Sequence, residues 1–477
     1  MTRAELLIIG GGPAGYVAAL RAAQLGAKSL VVEAAELGGV CLNRGCVPTK
    51  SLIESAGLYR TITGAARRHG INVDGVAVDL GVMVRRKEEV GRTLRDALGV
   101  LLPSRGIEIV SGWARFTGPH EVALQPAAAA GGPEDRVSFE QAVICTGSSP
   151  WLPPIPGLDL PGVIGSDEAL VPVDIPASLA VIGGGAVGSE FATIYAGLGS
   201  RVTVIEMLPD LIPTEDAEMG QALRYYMEAQ GITVITGARV ELVERLDPAT
   251  DLEAGNGGAL RIRLATAGGP RTVDVQRVLA AIGRRPNTAG LDLAAAGLTA
   301  GRRGEIPVDD GMRTSVPGIF AAGDVTGGIL LAHVAFEQGM VAVENALGRQ
   351  TRFRHGIVPR CIYTDPEVAA VGMTEAAARE EGYEVAVGRF PFTNSGRALA
   401  MGRSEGLVKV VTEKATGQLL GVHIIGPHAS ELIAEAALAL HHGSAIDDFA
   451  RVIHPHPTLT EAVKEAVLDA RGEAIHK

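Results

Sequence analysis

The chain has 477 residues, 47% hydrophobic and 20% charged, with a formal net charge of −11 at pH 7. That length accommodates two to four globular domains, and the acidic balance argues against a nucleic-acid binder, which usually carries a basic face. No apolar run reaches the roughly 18–20 residues of a membrane-spanning helix, and four cysteines are too few for a disulfide scaffold, so a reducing cytoplasmic compartment is expected, with any disulfide catalytic.

The first predicted element is an apolar strand, Leu6–Ile9. Gly10-Gly11-Gly12 cuts this run too short for a signal-peptide core. A helix pattern follows and stops at Gly26. A β-branched strand, Ser29–Val32, then ends in Glu33. In this β-α-β unit Gly10 permits the tight turn, Gly12 admits a pyrophosphate and Gly15 lets helix pack on strand. The phosphates are expected at the helix N-terminus, where free N–H groups and the dipole favour anions. Glu33 can accept hydrogen bonds from ribose hydroxyls.

Directly after this fingerprint comes Gly38-Gly39-Val40-Cys41-Leu42-Asn43-Arg44-Gly45-Cys46-Val47-Pro48-Thr49-Lys50. A regular helix sets residues five apart at roughly 8 Å between Cα atoms, whereas a disulfide wants about 4.4–6.8 Å. Cys41 and Cys46 can therefore bridge only if the segment is distorted. Gly45 and Pro48 supply a cause, since both disfavour regular helix nearby. The spacing argues against zinc, which favours closer pairs and needs further ligands. Arg44 can lower a thiol pKa or simply be solvated.

The β-α-β pattern then recurs. Leu179–Glu206 superimposes on Leu6–Glu33 without a gap at a constant offset of 173 residues, matching Gly10 to Gly183, Gly12 to Gly185, Gly15 to Gly188, Gly26 to Gly199 and Glu33 to Glu206. One glycine fingerprint is weak evidence. Two, each with its strands, helix and terminal acid, imply two bound dinucleotides and electron transfer between them. Glu206 would repel a 2′-phosphate, and no arginine follows in Met207–Leu211 to receive one, which favours NAD over NADP.

Near the C-terminus, His454-Pro455-His456-Pro457-Thr458-Leu459-Thr460-Glu461 allows a metal site or an acid–base dyad. No cysteine lies nearby and the prolines restrict the backbone, so metal is disfavoured. Thr460 or Thr458 can cap a helix Glu461–Ala470, leaving Glu461 to orient the His456 imidazole.

The segment Gly38–Lys50 resembles the redox-active segment of the pyridine nucleotide–disulfide oxidoreductases, a flavoprotein family, and the resemblance covers essentially the whole chain. It implies that the first repeat holds FAD and the second NAD. It implies that Cys41 exchanges with substrate, and that Cys46 lies against the flavin as a thiolate. Carried over residue by residue, the FAD site comprises Gly10, Gly12, Pro13, Ala14, Gly15, Glu33, Gly39, Val40, Lys50, Ala114, Thr146, Gly147, Asp324, Leu331, Ala332 and His333. The NAD site and its surroundings comprise Gly183, Gly185, Ala186, Val187, Gly188, Glu190, Glu206, Val240, Ala281, Gly283 and Arg284. Lys50 is expected to pair with Glu190. Cys145 reads as a small buried residue.

The run His454–Glu461 is similar to the HxHPTxxE signature of the lipoamide, glutathione and mercuric reductase branch. That implies His456 as acid–base, Glu461 as its orienting partner, and a homodimer in which each active site is shared between subunits. The chain ends Gly472-Glu473-Ala474-Ile475-His476-Lys477, without the vicinal cysteines of mercuric reductases, and lacks the NADP arginines of glutathione-type enzymes. Within the family it most resembles the branch that oxidises dihydrolipoamide with NAD+. The substrate arm would then be free lipoamide or a lipoylated protein, in a 2-oxoacid dehydrogenase or glycine-cleavage system. Arg44 departs from the small apolar residue common at its place. Reduction of another disulfide or of a metal ion, or a structural role in a multienzyme assembly, are the alternatives.

The expected architecture is α/β: two Rossmann-like FAD- and NAD(P)-binding domains and a C-terminal α+β dimerisation domain. The expected boundaries are 1–150 (FAD), 151–280 (NAD), 281–350 (central, completing the FAD domain) and 351–477 (interface). Pro126–Asp135 and Asp247–Gly258 read as surface loops.

Overall fold

A computed structural model describes residues 2–126, 134–246 and 260–477. The bodies of the two expected surface loops lie outside the described residues. The chain forms two compact units: 1–51, 84–151 and 283–354 in the first, and 52–83, 152–282 and 355–477 in the second. Among the described residues, no helix is long and apolar enough to cross a membrane.

In the first unit, β1 (Thr2–Ile9) runs into α1 (Pro13–Gln24) and then β2 (Ser29–Glu33). The redox segment follows as two short pieces of helix, α2 (Gly39–Asn43) and the start of α3 (Cys46–Thr63). After α4 (Leu80–Ser104) come β3 (Glu108–Gly118), β4 (Glu121–Pro126) and β5 (Asp135–Ile144). β1 lies between β2 and β5, parallel to both, and the short strand Ile319–Ala321 extends the sheet beyond β5. The opening of β3 runs parallel to β2; its remainder pairs antiparallel with β4, which returns to β5. Leu6, Leu7 and Ile8 are completely buried, which is why this strand reads as an unbroken apolar run. Each such side chain contributes roughly 1.5–3 kcal/mol on burial.

The second unit repeats the plan. The strand Ser178–Ile182, the helix Ala186–Gly197 and the strand Arg201–Ile205 match the second fingerprint. They sit in a five-stranded parallel sheet with Thr233–Ile235, Arg277–Ala280 and Val163–Ile164. Ala238–Arg245, Leu260–Thr266 and Gly269–Val275 form an antiparallel meander.

C-terminal to these lies a five-stranded antiparallel sheet: Arg360–Ile362, Glu367–Gly372, Leu419–Gly426, Leu407–Glu413 and Val385–Pro391. The helices Ala429–His441 and Glu461–Asp469 pack on it through Leu432, Ile433, Ala436, Val463, Ala466 and Val467. Leu438 on the first of these helices stays exposed.

Candidate active site

The two fingerprints have matching geometry. Gly10 (φ +104°) and Gly183 (φ +107°) both turn in the left-handed region that glycine adopts at little cost. A Cβ on Gly15 would collide with the Gly10 carbonyl oxygen, and one on Gly188 with that of Gly183. The N-cap residues, Gly12 and Gly185, supply no capping side chain, and neither helix has an acid in its first turn. Each fingerprint therefore offers uncapped N–H groups at the positive end of a twelve-residue helix, as a pyrophosphate requires. Gly12 and Gly39 approach so closely that a Cβ on Gly39 would lie 2.8 Å from the Gly12 Cα. The residues present therefore fit a dinucleotide at both fingerprints.

The terminal acids are held alike. Glu33 Oε2 accepts from the Gly11 amide at 2.6 Å and Oε1 from Ala35 at 2.8 Å. Glu206 Oε2 accepts from Gly184 at 2.6 Å and Oε1 from Leu208 at 2.8 Å. Each carboxylate is fixed at its strand end with lone pairs left for hydroxyl donors. Glu206 is buried at the end of its strand.

The dithiol owes its geometry to a break in the helix. Arg44 leaves helical conformation (φ −144°, ψ 22°) at the end of α2, and α3 restarts at Cys46. A Cβ on Gly45 would press the Val40 carbonyl oxygen at 3.0 Å. Pro48 falls in the first turn of α3, where no amide hydrogen is missed. Thr49 Oγ1 donates to the Gly45 carbonyl at 2.6 Å. Asn43 Nδ2 donates to the Leu37 and Gly39 carbonyls, and Arg95 Nη1 donates to Asn43 Oδ1 at 2.7 Å. Arg95 stands 52 residues downstream, so sequence reading missed it.

Both cysteines are free thiols, Cys46 exposed and Cys41 half-buried. The Cys41 thiol is pushed far above the ordinary thiol range, first by its hydrogen bond to Cys46, then by burial and by the Cys46 charge; Lys50 opposes this. The Cys41 thiol is therefore held protonated beside Cys46. Tyr16 is pushed up to about 12 by burial and by the two cysteines, so a neutral phenol stands near the pair. Cys145 is buried, and burial pushes its thiol up; its carbonyl lies against Gly10.

Asp324 is reached through a relay absent from the sequence reading. Ser148 Oγ donates to Asp324 Oδ2 at 2.6 Å, and Arg284 Nε donates to Ser148 Oγ at 2.7 Å. Arg284 and Gly283, grouped above with the NAD site and its surroundings, belong to the first unit. Asn287 clasps the 146–149 turn: its amide donates to the Gly147 carbonyl, its Nδ2 to Thr146, and its Oδ1 accepts from Ser149. Gln338 Oε1 accepts from the Gly323 amide at 2.8 Å. Leu331 is the N-cap residue, and Ala332 and His333 the first turn, of helix Ala332–Ala346. Ala114 is buried among core residues of β3–β5.

In the second unit, Val240 is buried in the meander core, and a Cβ on Gly183 would strike the Ala281 carbonyl oxygen. Ala186 and Val187 open their helix, with Val187 exposed. Glu190 is buried, and its Oε1 accepts from the Tyr363 amide at 3.0 Å. His456 Nδ1 lies 2.9 Å from Glu461 Oε1, and the His456 side chain is 80% exposed. The helix begins at Glu461, but neither threonine caps it. Thr458 Oγ1 turns to the Pro455 carbonyl and Thr460 Oγ1, while Glu461 Oε2 takes the Thr458 amide at 2.8 Å. Burial alone would raise the Glu461 carboxyl, but the Thr458 amide and the His456 ring outweigh it and hold the pKa low. The carboxylate therefore stays charged and holds Nδ1, leaving Nε2 without a hydrogen bond among the described residues.

Two dinucleotide folds, a dithiol beside the first and a histidine–carboxylate dyad on a further α+β layer define a nucleotide-dependent dithiol oxidoreductase. The chain belongs to the pyridine nucleotide-disulphide oxidoreductase family: residues 4–339 match its main domain and residues 358–467 its dimerisation domain. It is 43% identical to a dihydrolipoyl dehydrogenase of Thermus scotoductus over 99% of this chain and 98% of that one. It is 38% identical to one of Bacillus subtilis over 100% and 99%. Among solved structures, LpdA from Mycobacterium tuberculosis superimposes with a TM-score of 0.87 at 30% identity, covering 98% of this chain and 99% of that one. The flavoprotein disulfide reductase RclA from Escherichia coli, in a Cu(II) complex, superimposes with a TM-score of 0.85 at 27% identity, covering 98% and 99%.

Proposed function

We propose that this chain is an FAD-containing enzyme that oxidises a dihydrolipoyl group to its cyclic disulfide and reduces NAD+ to NADH. The observation that carries this reading is the helix break that brings the Cys41 thiol onto Cys46 directly after the first fingerprint. The His456–Glu461 dyad supplies the base that a dithiol substrate needs. Close homology to dihydrolipoyl dehydrogenases supports the substrate class.

In the oxidised enzyme Cys41 and Cys46 form a disulfide. His456 Nε2 takes a proton from one substrate thiol, and Glu461 stabilises the imidazolium. The thiolate attacks Cys41, the Cys41–Cys46 bond breaks, and Cys46 leaves as thiolate. His456, after releasing its first proton to solvent, takes the proton of the second substrate thiol. That thiolate attacks the substrate sulfur of the mixed disulfide, its bond to Cys41 breaks, the lipoyl disulfide leaves, and Cys41 takes the proton back from the imidazolium. The pair now holds two electrons as Cys41 thiol and Cys46 thiolate. Bound FAD supplies the two-electron link from this pair to NAD+. Glu33 and Glu206 would orient the two riboses, Lys50 would balance the Cys46 charge, and Asp324 with Ser148 and Arg284 would hold the FAD side. Cofactor selection at the second fingerprint rests on Glu206. The working form is a cytoplasmic homodimer in which each dithiol meets the dyad carried by the second copy. The lipoyl group is borne by a 2-oxoacid dehydrogenase or glycine-cleavage partner, or is free.

Replacing Cys46 by serine tests the route. Cys46→Ser should abolish NAD+ reduction by dihydrolipoamide, a loss on the order of a thousandfold or more. Oxidation of NADH by ferricyanide, which bypasses the dithiol, should persist. Retained dihydrolipoamide turnover in that variant would refute the proposed route.

A further inference from the structure

The strap between helices Ile446–Arg451 and Glu461–Asp469 carries a second histidine–carboxylate pair that the proposed reaction does not use. His454 Nε2 lies 2.7 Å from Oε1 of Glu435, on helix Ala429–His441. The His454 side chain is only 5% exposed. His454 Nδ1 and Glu435 Oε2 are buried with no hydrogen-bond partner. Such unmet buried atoms cost free energy, so the pair is a poor stabilising device.

Its placement suggests a different role. Among the described residues, 453–458 make no backbone–backbone hydrogen bond, and Pro455 and Pro457 have no N–H to give. Side chains therefore set the strap. Lys464 Nζ donates to the Val452 carbonyl at 2.6 Å, and Glu461 accepts from Thr458 and pairs with His456. Both of these residues lie on helix Glu461–Asp469. The Glu435–His454 bond ties the strap to helix Ala429–His441. Pro455, with its fixed φ, links that anchor to His456, whose exposed ring is bonded only at Nδ1 among the described residues.

We propose that Glu435 and His454 are positioning residues: their buried hydrogen bond fixes the strap so that the His456 ring presents Nε2 to the substrate thiol. The inference rests on the function proposed above. The charged groups bonded to the strap are Glu435 from one helix and Glu461 and Lys464 from the other. A misplaced base costs rate most where the substrate thiol cannot ionise unaided, that is, below the ordinary thiol pKa of about 8.5.

The test measures kcat for dihydrolipoamide oxidation against pH, and NADH–ferricyanide turnover, in Glu435→Ala and His454→Leu. At neutral pH the first reaction should fall about ten- to hundredfold, with the loss shrinking above pH ~9 as the thiol ionises by itself. Ferricyanide turnover should stay at the wild-type level. His454→Gln, whose amide can still donate to Glu435, should restore most of the rate. Should Glu435→Ala fail to fold, the two His454 variants give the comparison alone. Unchanged kcat, a loss independent of pH, or an equal fall in both reactions overturns the inference. Inactive wild-type enzyme would instead sink the proposed function.

Discussion

Lys409 illustrates how much a single residue holds. Its side chain is 4% exposed and lies 2.8 Å from Asp216, 3.2 Å from Glu218 and 3.0 Å from Glu375. Burial alone would raise the Asp216 and Glu218 carboxyls, but hydrogen bonds from Lys409 and Arg389 outweigh it; Glu375 is held low first by Arg379. Carboxylates with depressed pKa stabilise the fold above their unfolded values of about 3.9 and 4.3, and that contribution is lost as pH falls below them. Lys409, raised by these partners against the opposing effect of burial, stabilises below its unfolded value of about 10.4 and loses that contribution as pH rises past it. Lys409→Met should cost about 3–5 kcal/mol at pH 7 by leaving carboxylates buried without their cation. Denaturant titration should show the gap from wild type narrowing below about pH 4 as the acids protonate. A gap that stays constant into acid would contradict this. None of the network was legible in the sequence, because its partners are up to 193 residues apart. Cys41, Cys46, His456 and Glu461 stood out because each pair lies within one short segment.

At the scale of elements, the repeat was legible because its signals are local. A buried strand, a glycine turn, a helix and an acid recur at fixed spacing, and each has its own steric cause. The expected distortion between Cys41 and Cys46 follows from Gly45 and Pro48 and appears as two helices with Arg44 between them. The expected threonine cap does not form, because the Thr458 hydroxyl bonds the Pro455 carbonyl and the Thr460 hydroxyl while Glu461 takes the Thr458 amide. The duplicated turn makes a paired prediction. Gly188→Ala forces a Cβ onto the Gly183 carbonyl oxygen and should reopen the second fingerprint's turn. The purified variant should keep its flavin absorbance but bind NAD+ about tenfold or more weakly by calorimetry, equivalent to at least 1.4 kcal/mol. Gly15→Ala, at the equivalent place, should lose flavin instead. The reverse pattern, or no change in either, would contradict the assignment of the two repeats.

At the scale of the whole molecule, composition and charge argued against some classes of partner but did not select an activity. The family became legible when the doubled fingerprint, the dithiol and the terminal dyad were read in one chain. Less legible was the assembly of each compact unit from three separate segments, because long-range strand pairings such as β5 with Ile319–Ala321 leave no local mark. The relay from Arg284 through Ser148 to Asp324 was hidden for the same reason. The central claim is that electrons pass from a dihydrolipoyl dithiol through Cys41 and Cys46 to NAD+. Steady-state reduction of NAD+ by dihydrolipoamide, followed at the NADH absorbance with NADP+ as parallel acceptor, tests it most directly. The account predicts rapid turnover with NAD+ and at least about a hundredfold lower kcat/KM with NADP+, since it assigns Glu206 to the ribose, where its carboxylate would repel a 2′-phosphate. No turnover with NAD+ in a flavin-loaded protein would contradict it.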